Sequence, residues 1–254
     1  MRIKKIESNT NSIFKELSTL LTAKGIKKSQ KCLVSGEKII AEHIARQKEN
    51  NKESFFIYHR EEHSLFSLYP AHQLILLPQN LFAELDVVGT HAPLLCASSS
   101  EIKSWNHKSP SSKREILCAL GDPSNLGALI RSAKAFGFED IVLLKESANP
   151  FLPKALKASS GLSLDMHFYE GPSIQELSSE DTSLFALDMH GEPLESFSPP
   201  SSLRLLIGQE GLGVPQTLSF QRLAISMDSG VESLNATIAA SIALYQISMS
   251  RKKL

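Results

Sequence analysis

Cysteine is scarce in this sequence, and its three copies, Cys32, Cys96 and Cys118, lie far apart among 254 residues. An odd number of widely spaced cysteines argues against a disulfide framework and a CxxC metal site, and indicates a reducing compartment. Long apolar runs are also missing, since none approaches the roughly 20 residues that a membrane-spanning helix needs. The chain begins MRIKKIE, without the apolar core of a secretory signal. We therefore expect a soluble, cytoplasmic protein.

Net charge is absent, because 27 Lys and Arg residues balance 27 Asp and Glu residues, but the charges are unevenly distributed. Residues 1–60 contain 13 Lys and Arg against 6 Asp and Glu, whereas residues 111–254 contain 12 against 16. A basic segment joined to a more acidic body is typical of proteins that bind a polyanion such as nucleic acid. The alternative is a solvated lysine-rich face. A hydrophobic content of 42% excludes a disordered chain.

The composition changes near residue 100, where serine-rich segments enclose a polar stretch, residues 101–109, without sustained apolar periodicity. Serine, proline and lysine without buried positions are typical of a linker. We therefore predict two domains, residues 1–107 and 108–254.

Short helical and strand patterns alternate before this linker, which predicts a small α/β domain. The predicted helices are residues 12–21 and 38–46, and the predicted strands are residues 55–58, 74–77 and 94–97.

The second part of the chain alternates more clearly between strands and helices. Its strands are apolar throughout, which favours a mostly parallel α/β sheet. The helix over residues 235–248 is apolar on most sides, so we expect its own sheet or a second subunit to cover it. The predicted strands are residues 115–120, 140–144, 184–187 and 203–207, and the other helix is residues 125–136.

Three loops at predicted strand ends contain candidate functional residues. In the first, Gly121-Asp122-Pro123 precedes a helix with Arg131, and free backbone N–H groups at such a position bind anions. The alternative is a capped turn with a solvated arginine. In the third, residues 225–237, Ser233 is a plausible N-cap of the last helix.

The second loop contains three glycines, Gly208, Gly211 and Gly213, in the order GxxGxG. A dinucleotide-binding loop would read GxGxxG, so that interpretation is weak. Glu210 would repel a pyrophosphate, so an uncharged or cationic cofactor is the better electrostatic match.

In this order, the three loops resemble the motifs of the SpoU/TrmH family of RNA ribose 2′-O-methyltransferases, part of the SPOUT superfamily. The similarity covers roughly residues 114–250, and residues 1–100 more weakly resemble a ribosomal-protein-like substrate-binding domain. Residues 154–161 resemble the family's Lys/Ala/Ser-rich segment. The matching motif residues are Asp122, Pro123, Asn125, Gly127, Arg131, Phe136 and Gly137, then Gly208, Glu210, Gly211 and Gly213, and finally Ser233, Leu234 and Asn235.

The resemblance implies a trefoil-knotted sheet, S-adenosyl-L-methionine as cofactor, no metal, and a homodimer formed through the C-terminal domain. By matching position, the cofactor-binding residues would be Leu187, Gly208, Ile225, Met227 and Leu234. The catalytic residues would be Arg131, Asn125, Glu210, Ser233 and Asn235. Ser226 and Leu187 replace residues usual in the family, and we expect adjustment there rather than loss of binding.

The implied reaction is attack of a ribose 2′-hydroxyl on the cofactor's sulfonium methyl group, with rRNA favoured over tRNA as substrate. Arginine is protonated under nearly all conditions, so we interpret Arg131 as a cationic donor to an RNA phosphate or to the developing alkoxide, rather than as the base. The alternatives are a catalytically inactive RNA-binding protein of the same fold and a nucleotide-dependent oxidoreductase.

Overall fold

The computed structural model describes residues 2–46, 54–70, 72–106, 114–178, 181–228, 230–231 and 233–249. The chain forms two compact units. One comprises Met1–Ser100 with Asn149–Asp165, and the other comprises Glu101–Ala148 with Met166–Leu254. The predicted boundary at residue 107 lies outside the described residues. Residues 149–165, which we placed in the second domain, pack within the first unit.

The first unit is a five-stranded mixed sheet with short helices, which confirms the predicted α/β class. The order of its strands is β1-β4-β3-β5-β2, with β5 antiparallel to both of its neighbours. The strands are β1 (Ile3–Lys5), β2 (Lys31–Ser35), β3 (Phe55–Tyr58), β4 (Gln73–Leu76) and β5 (Leu94–Ser98). The helices are α1 (Ser12–Thr19), α2 (Ala23–Ser29), α3 (Glu37–Arg46), α4 (Ser64–Leu68) and α5 (Gln79–Leu85).

Sequence patterns missed five of these elements, namely β1, β2, α2, α4 and α5. Helix α2 is an example, because it begins at a cap, where the Thr22 side chain accepts a hydrogen bond from the Gly25 N–H, and ends at Gln30 with φ of 54°. A helix of seven residues has too few turns to establish an apolar periodicity.

In the second unit, seven parallel strands form a sheet in the order β12-β10-β11-β7-β8-β9-β6. The parallel pairing confirms the predicted fold class, and the trefoil knot stays a prediction. The strands are β6 (Ile102–Ser104), β7 (Arg114–Cys118), β8 (Asp140–Leu143), β9 (His167–Glu170), β10 (Leu184–Pro193), β11 (Leu203–Ile207) and β12 (Gln221–Ala224). The helices are α6 (Pro123–Ala135) and α8 (Ala236–Met249), while α7 (Pro153–Ala158) belongs to the first unit.

The prediction of a linker over residues 101–109 was wrong for β6, since residues 102–104 pair with β9 at the edge of the second sheet. This edge strand is only three residues long and largely exposed, so the sequence contains no apolar run that would indicate it.

Strand β10 leaves the regular sheet where the candidate site begins. Its register with β12 shifts between Leu187 and Glu192. Gly191 returns close to β12, where a Cβ atom would lie 2.5 Å from the backbone carbon of Arg222. Residues 188–191 therefore form a bulge, which can close against β12 only because residue 191 is a glycine.

Helix α8 packs on α6 with one face and exposes the other. Its buried face contains Ala240, Ala243, Leu244 and Ile247, and the Ser132 and Ser241 hydroxyls lie 2.8 Å apart across the contact. Part of the cover that we expected for this helix thus comes from α6 of the same chain. The exposed face contains the apolar side chains of Ile238, Ile242, Tyr245 and Met249. In the described part of the chain, no helix is both long and apolar enough to cross a membrane.

Candidate active site

A cavity of about 490 Å³ lies at the carboxyl ends of β10, β11 and β12. Open parallel sheets bind ligands at this edge. The cavity is formed by the β10 bulge, the glycine loop after β11 and the segment from β12 to α8. Its lining residues include Leu187, Asp188, Met189, His190, Gly208, Glu210, Leu212, Ile225, Met227, Ser233, Leu234, Asn235 and Ala239.

The five residues predicted to bind a cofactor all line this cavity, and so do three of the five predicted catalytic residues, Glu210, Ser233 and Asn235. Asn125 lies behind the cavity wall, where its Nδ2 donates to Glu210 Oε1 at 3.2 Å. Arg131 is an exposed residue of α6 and is not among the residues that line the cavity. The predicted residues therefore converge on one site, with Arg131 outside the cavity itself.

The glycine loop folds back on itself as a tight turn. Gln209 and Gly213 exchange backbone hydrogen bonds of 3.1 and 2.9 Å, and a Cβ atom on Gly208 would lie 2.4 Å from the Gly213 carbonyl carbon. Gly211 and Gly213 have φ values of 80° and 67°, which other residues rarely adopt. All three glycines are thus explained by the backbone of the loop.

Glu210 holds the first loop against the second. Its carboxylate accepts hydrogen bonds from the Gly121 N–H at 2.9 Å and the Asp122 N–H at 3.2 Å. The Asp122 carboxylate in turn accepts from the N–H groups of Ser124 and Asn125, both at 2.9 Å. Our expectation of free N–H groups for an anion at this helix start was therefore wrong, because the chain's own carboxylates occupy them.

The pKa of Glu210 is lowered from its ordinary value of 4.5. Partial burial by itself would raise this pKa, but the hydrogen bonds from Gly121, Asn125 and Asp122 favour the ionised carboxylate and prevail. Glu210 is thus a permanently charged acceptor at neutral pH. It ties two loops together rather than serving as a base.

Glu210→Gln should lower the Tm at neutral pH, because an amide oxygen is a weaker acceptor than a carboxylate and the amide nitrogen cannot accept. We expect a loss of about 1 kcal/mol, since the site is partly exposed. The pKa of Glu210 is lower in the folded than in the unfolded protein. The stabilisation by its ionised carboxylate is therefore present above pH 4.5 and is lost as the pH falls through the folded-state pKa.

Thermal unfolding between pH 7 and pH 3 measures this effect, with the exposed Glu84→Gln of α5 as a matched control. The gap in Tm between wild type and Glu210→Gln should close in acid, while the control stays unchanged throughout. A gap that does not narrow as the pH falls below 4.5 would contradict the explanation.

The third loop leads into α8 through Asn235, whose Oδ1 accepts from the Thr237 N–H at 2.9 Å and the Ile238 N–H at 3.3 Å. The predicted N-cap at Ser233 was therefore wrong, because α8 begins at Ala236. The Thr237 hydroxyl also donates to the Asn125 carbonyl at 3.3 Å. Asn235 thus places the end of the third loop beside the first.

Sequence reasoning missed one partly buried ion pair at the cavity, in which Asp188 accepts from Arg222. Asp188 follows directly after the predicted strand of residues 184–187, so its place at a strand end is a signal that could have been used. Arg222 lies in β12, the short strand that we expected before the third loop.

The charges of the cavity favour a ligand without phosphate. Among the described residues that line it, Asp188 and Glu210 are acidic and none is Lys or Arg. The described residues also contain no group of three or more His, Cys, Asp or Glu that could hold a metal ion. The three cysteines are buried free thiols.

Comparisons with known proteins identify the same part of the chain. The SpoU rRNA Methylase family matches residues 115–245. Over 249 residues the chain is 38% identical to "Ribosomal RNA small subunit methyltransferase G 2" of Syntrophobacter fumaroxidans, a match that covers 97% of this chain and 49% of that protein. The chain thus spans about half the length of this relative.

Another relative matches over nearly its whole length. The chain is 27% identical over 257 residues to "23S rRNA (guanosine(2553)-2′-O)-methyltransferase RlmP" of Bacillus subtilis, with 96% of this chain and 99% of that protein covered. The crystal structure of an AdoMet-bound rRNA methyltransferase from Sinorhizobium meliloti has a TM-score of 0.75 and 19% identity, and covers 99% of this chain and 98% of that one. This likeness confirms the fold of the whole chain.

Proposed function

Since this chain belongs to the SpoU rRNA Methylase family, we propose that it is an RNA ribose 2′-O-methyltransferase that uses S-adenosyl-L-methionine. The observation that carries the proposal is the cavity at the carboxyl edge of the parallel sheet, which the second and third motif-bearing loops line and which the first loop adjoins through its hydrogen bonds to Glu210. The name of the Bacillus relative, which the chain matches over nearly its full length, supports the 2′-hydroxyl as acceptor.

The cavity fits this cofactor in size and in charge. Ligand sites usually measure about 300–1,000 Å³, and this one measures about 490 Å³. S-adenosyl-L-methionine has a cationic sulfonium and no phosphate. It therefore suits a cavity whose described lining contains acidic side chains but no Lys or Arg. Leu187, Gly208, Ile225, Met227 and Leu234 would hold it. When bound, it supplies an electrophilic methyl group.

The protein's own task is to orient the two reactants and to stabilise charge. Glu210 holds the loop that begins α6, and Asn235 caps the start of α8, so hydrogen bonds within the chain would position both loops before RNA arrives. Arg131, exposed on α6, would donate to an RNA phosphate or to the developing 2′-alkoxide. An RNA phosphate or solvent would accept the proton.

We propose rRNA as the substrate, acted on in the cytoplasm, because relatives over almost the whole chain are named for rRNA. The first unit would deliver this RNA through its basic residues. Helix α2 alone contributes three exposed lysines, Lys24, Lys27 and Lys28.

Replacing Lys24, Lys27 and Lys28 together by glutamine should weaken RNA binding and flatten its salt dependence. For every phosphate that the variant no longer binds, the log–log slope should fall by about 0.7 to 0.9. Binding titrations at several salt concentrations measure the slope, with Lys103→Gln/Lys145→Gln, which removes two positive charges from the second unit, as a control. Equal slopes for wild type and the α2 variant would show that these lysines are only a solvated face.

A homodimer formed through α8 completes the proposal. The side chains of Ile238, Ile242, Tyr245 and Met249 follow one another at helical spacing and are between 37% and 54% exposed. A contiguous apolar stripe on a helix marks a surface that associates. Since Arg131 does not line its own cavity, we propose that it serves the cavity of the second subunit.

Calorimetry with S-adenosylhomocysteine and a methyl-transfer assay on rRNA test the proposed function together. We expect S-adenosylhomocysteine to bind, NAD to give no heat, and activity to survive a chelator. Absence of S-adenosylhomocysteine binding would overturn the cofactor. Binding without transfer to any rRNA or tRNA would favour an inactive RNA-binding protein.

A further inference from the structure

One largely buried arginine, Arg222, joins three segments around the cavity without lining it. Arg222 of β12 donates through Nη1 to the Asp188 carboxylate, and through Nη2 to the Pro215 carbonyl at 2.9 Å and the Leu218 carbonyl at 3.2 Å. Its side chain is 12% exposed, and that of Asp188 is 9% exposed. Because this ion pair is largely removed from water, loss of one partner would leave the charge of the other without compensation.

The partners of Arg222 belong to two segments beside the cavity. Asp188 begins the β10 bulge, and its carboxylate also accepts from the His190 N–H at 3.0 Å and from Gln216 Nε2 at 3.4 Å. Pro215 directly follows the glycine loop, whereas Arg222 itself lies three residues before Ile225. One planar group therefore connects the bulge, the exit of the glycine loop and the third loop.

The bulge has no regular sheet pairing of its own, because the β10–β12 register is interrupted between Leu187 and Glu192. The contacts of Asp188 are thus what fixes residues 188–190, which line the cavity. We infer that Arg222 is a positioning residue that sets the cofactor cavity through Asp188, Pro215 and Leu218 before any ligand binds. The inference rests on the proposed function for the identity of the ligand only.

Arginine is required here because a planar guanidinium can reach a carboxylate and two carbonyls at once, whereas the compact lysine ammonium cannot match this geometry. Arg222→Met removes all three contacts, and Arg222→Lys keeps the charge. We expect Arg222→Met to weaken S-adenosylhomocysteine binding between about 10-fold and about 100-fold, and Arg222→Lys to restore only part of it. KM for the cofactor should rise more than kcat falls.

The second sheet offers a matched control, Arg204 of β11. It is buried too, donates to Glu115 Oε2 at 2.9 Å and lies over the Trp105 ring at 5.2 Å. It is at the start of β11, whereas the cavity is at the end of that strand. Arg204→Met should therefore lower the Tm without changing the affinity of the folded protein for S-adenosylhomocysteine.

Two measurements on the full chain separate the possible outcomes. The first is calorimetry with S-adenosylhomocysteine, and the second is hydrogen exchange of the ligand-free protein over residues 186–192 and 213–220. Arg222→Met should exchange faster in both segments, and Arg204→Met should match wild type there. Equal affinity or equal exchange in wild type and Arg222→Met would overturn the inference. If wild type itself does not bind S-adenosylhomocysteine, the proposed cofactor is overturned. The hydrogen-exchange comparison, made without ligand, would still test the role of Arg222.

Discussion

Arg131→Ala should lower the rate of methyl transfer by about 100-fold to about 1,000-fold, the usual effect of losing one donor to a developing oxyanion. Arg131→Lys should recover little, because an ammonium group cannot supply two parallel hydrogen bonds. Affinity for S-adenosylhomocysteine should hardly change in either variant, since Arg131 does not line the cavity. Single-turnover transfer to rRNA, with calorimetry on the same preparations, measures both quantities.

The neighbouring Lys134 provides a control for the general charge of α6. It already pairs with Glu139 at 2.9 Å, so Lys134→Gln should retain most of the activity. Full activity in Arg131→Ala would refute the role that we assign to Arg131. If Arg131 acts on the other subunit, mixing Arg131→Ala with inactive Leu234→Arg, a change in the cavity wall, should restore activity through heterodimers.

The same substitution at two adjacent positions of α8 should have opposite consequences. Ile242 is 40% exposed on the apolar face, whereas Ala243 is fully buried within the chain. Ile242→Glu should abolish the homodimer and leave the monomer folded, since exposed substitutions rarely cost more than about 0.5 kcal/mol. Ala243→Glu should cost about 4 kcal/mol or more, because it buries an unpaired charge.

Light scattering at micromolar concentration, with circular dichroism of the same samples, distinguishes the two effects. Wild type should be a dimer, Ile242→Glu a folded monomer without methyltransferase activity, and Ala243→Glu largely unfolded. A wild-type monomer that still methylates RNA would disprove the dimer. An Ile242→Glu protein that remains dimeric would place the interface elsewhere.

Features that depend on neighbouring residues could be recognised before the structure was known. The apolar strands of residues 115–120 and 203–207 could be recognised because strands covered on both faces need no polar alternation. Helix α6 could be recognised by its apolar spacing and by Gly137 beyond its end. The order of the three loop motifs indicated the family, and the residues of the second and third motifs line one cavity.

Contacts between distant residues were decided only by the tertiary structure. Glu210 occupies N–H groups that the first loop, taken by itself, offers to an anion, across 89 positions of sequence, and Arg222 reaches Asp188 across 34. Likewise, the pairing of α8 with α6 decided that Ala243 is buried while Ile242 is exposed. Local patterns report the preferences of a few adjacent residues, whereas these contacts exist only after the sheet has brought separate strand ends to one edge.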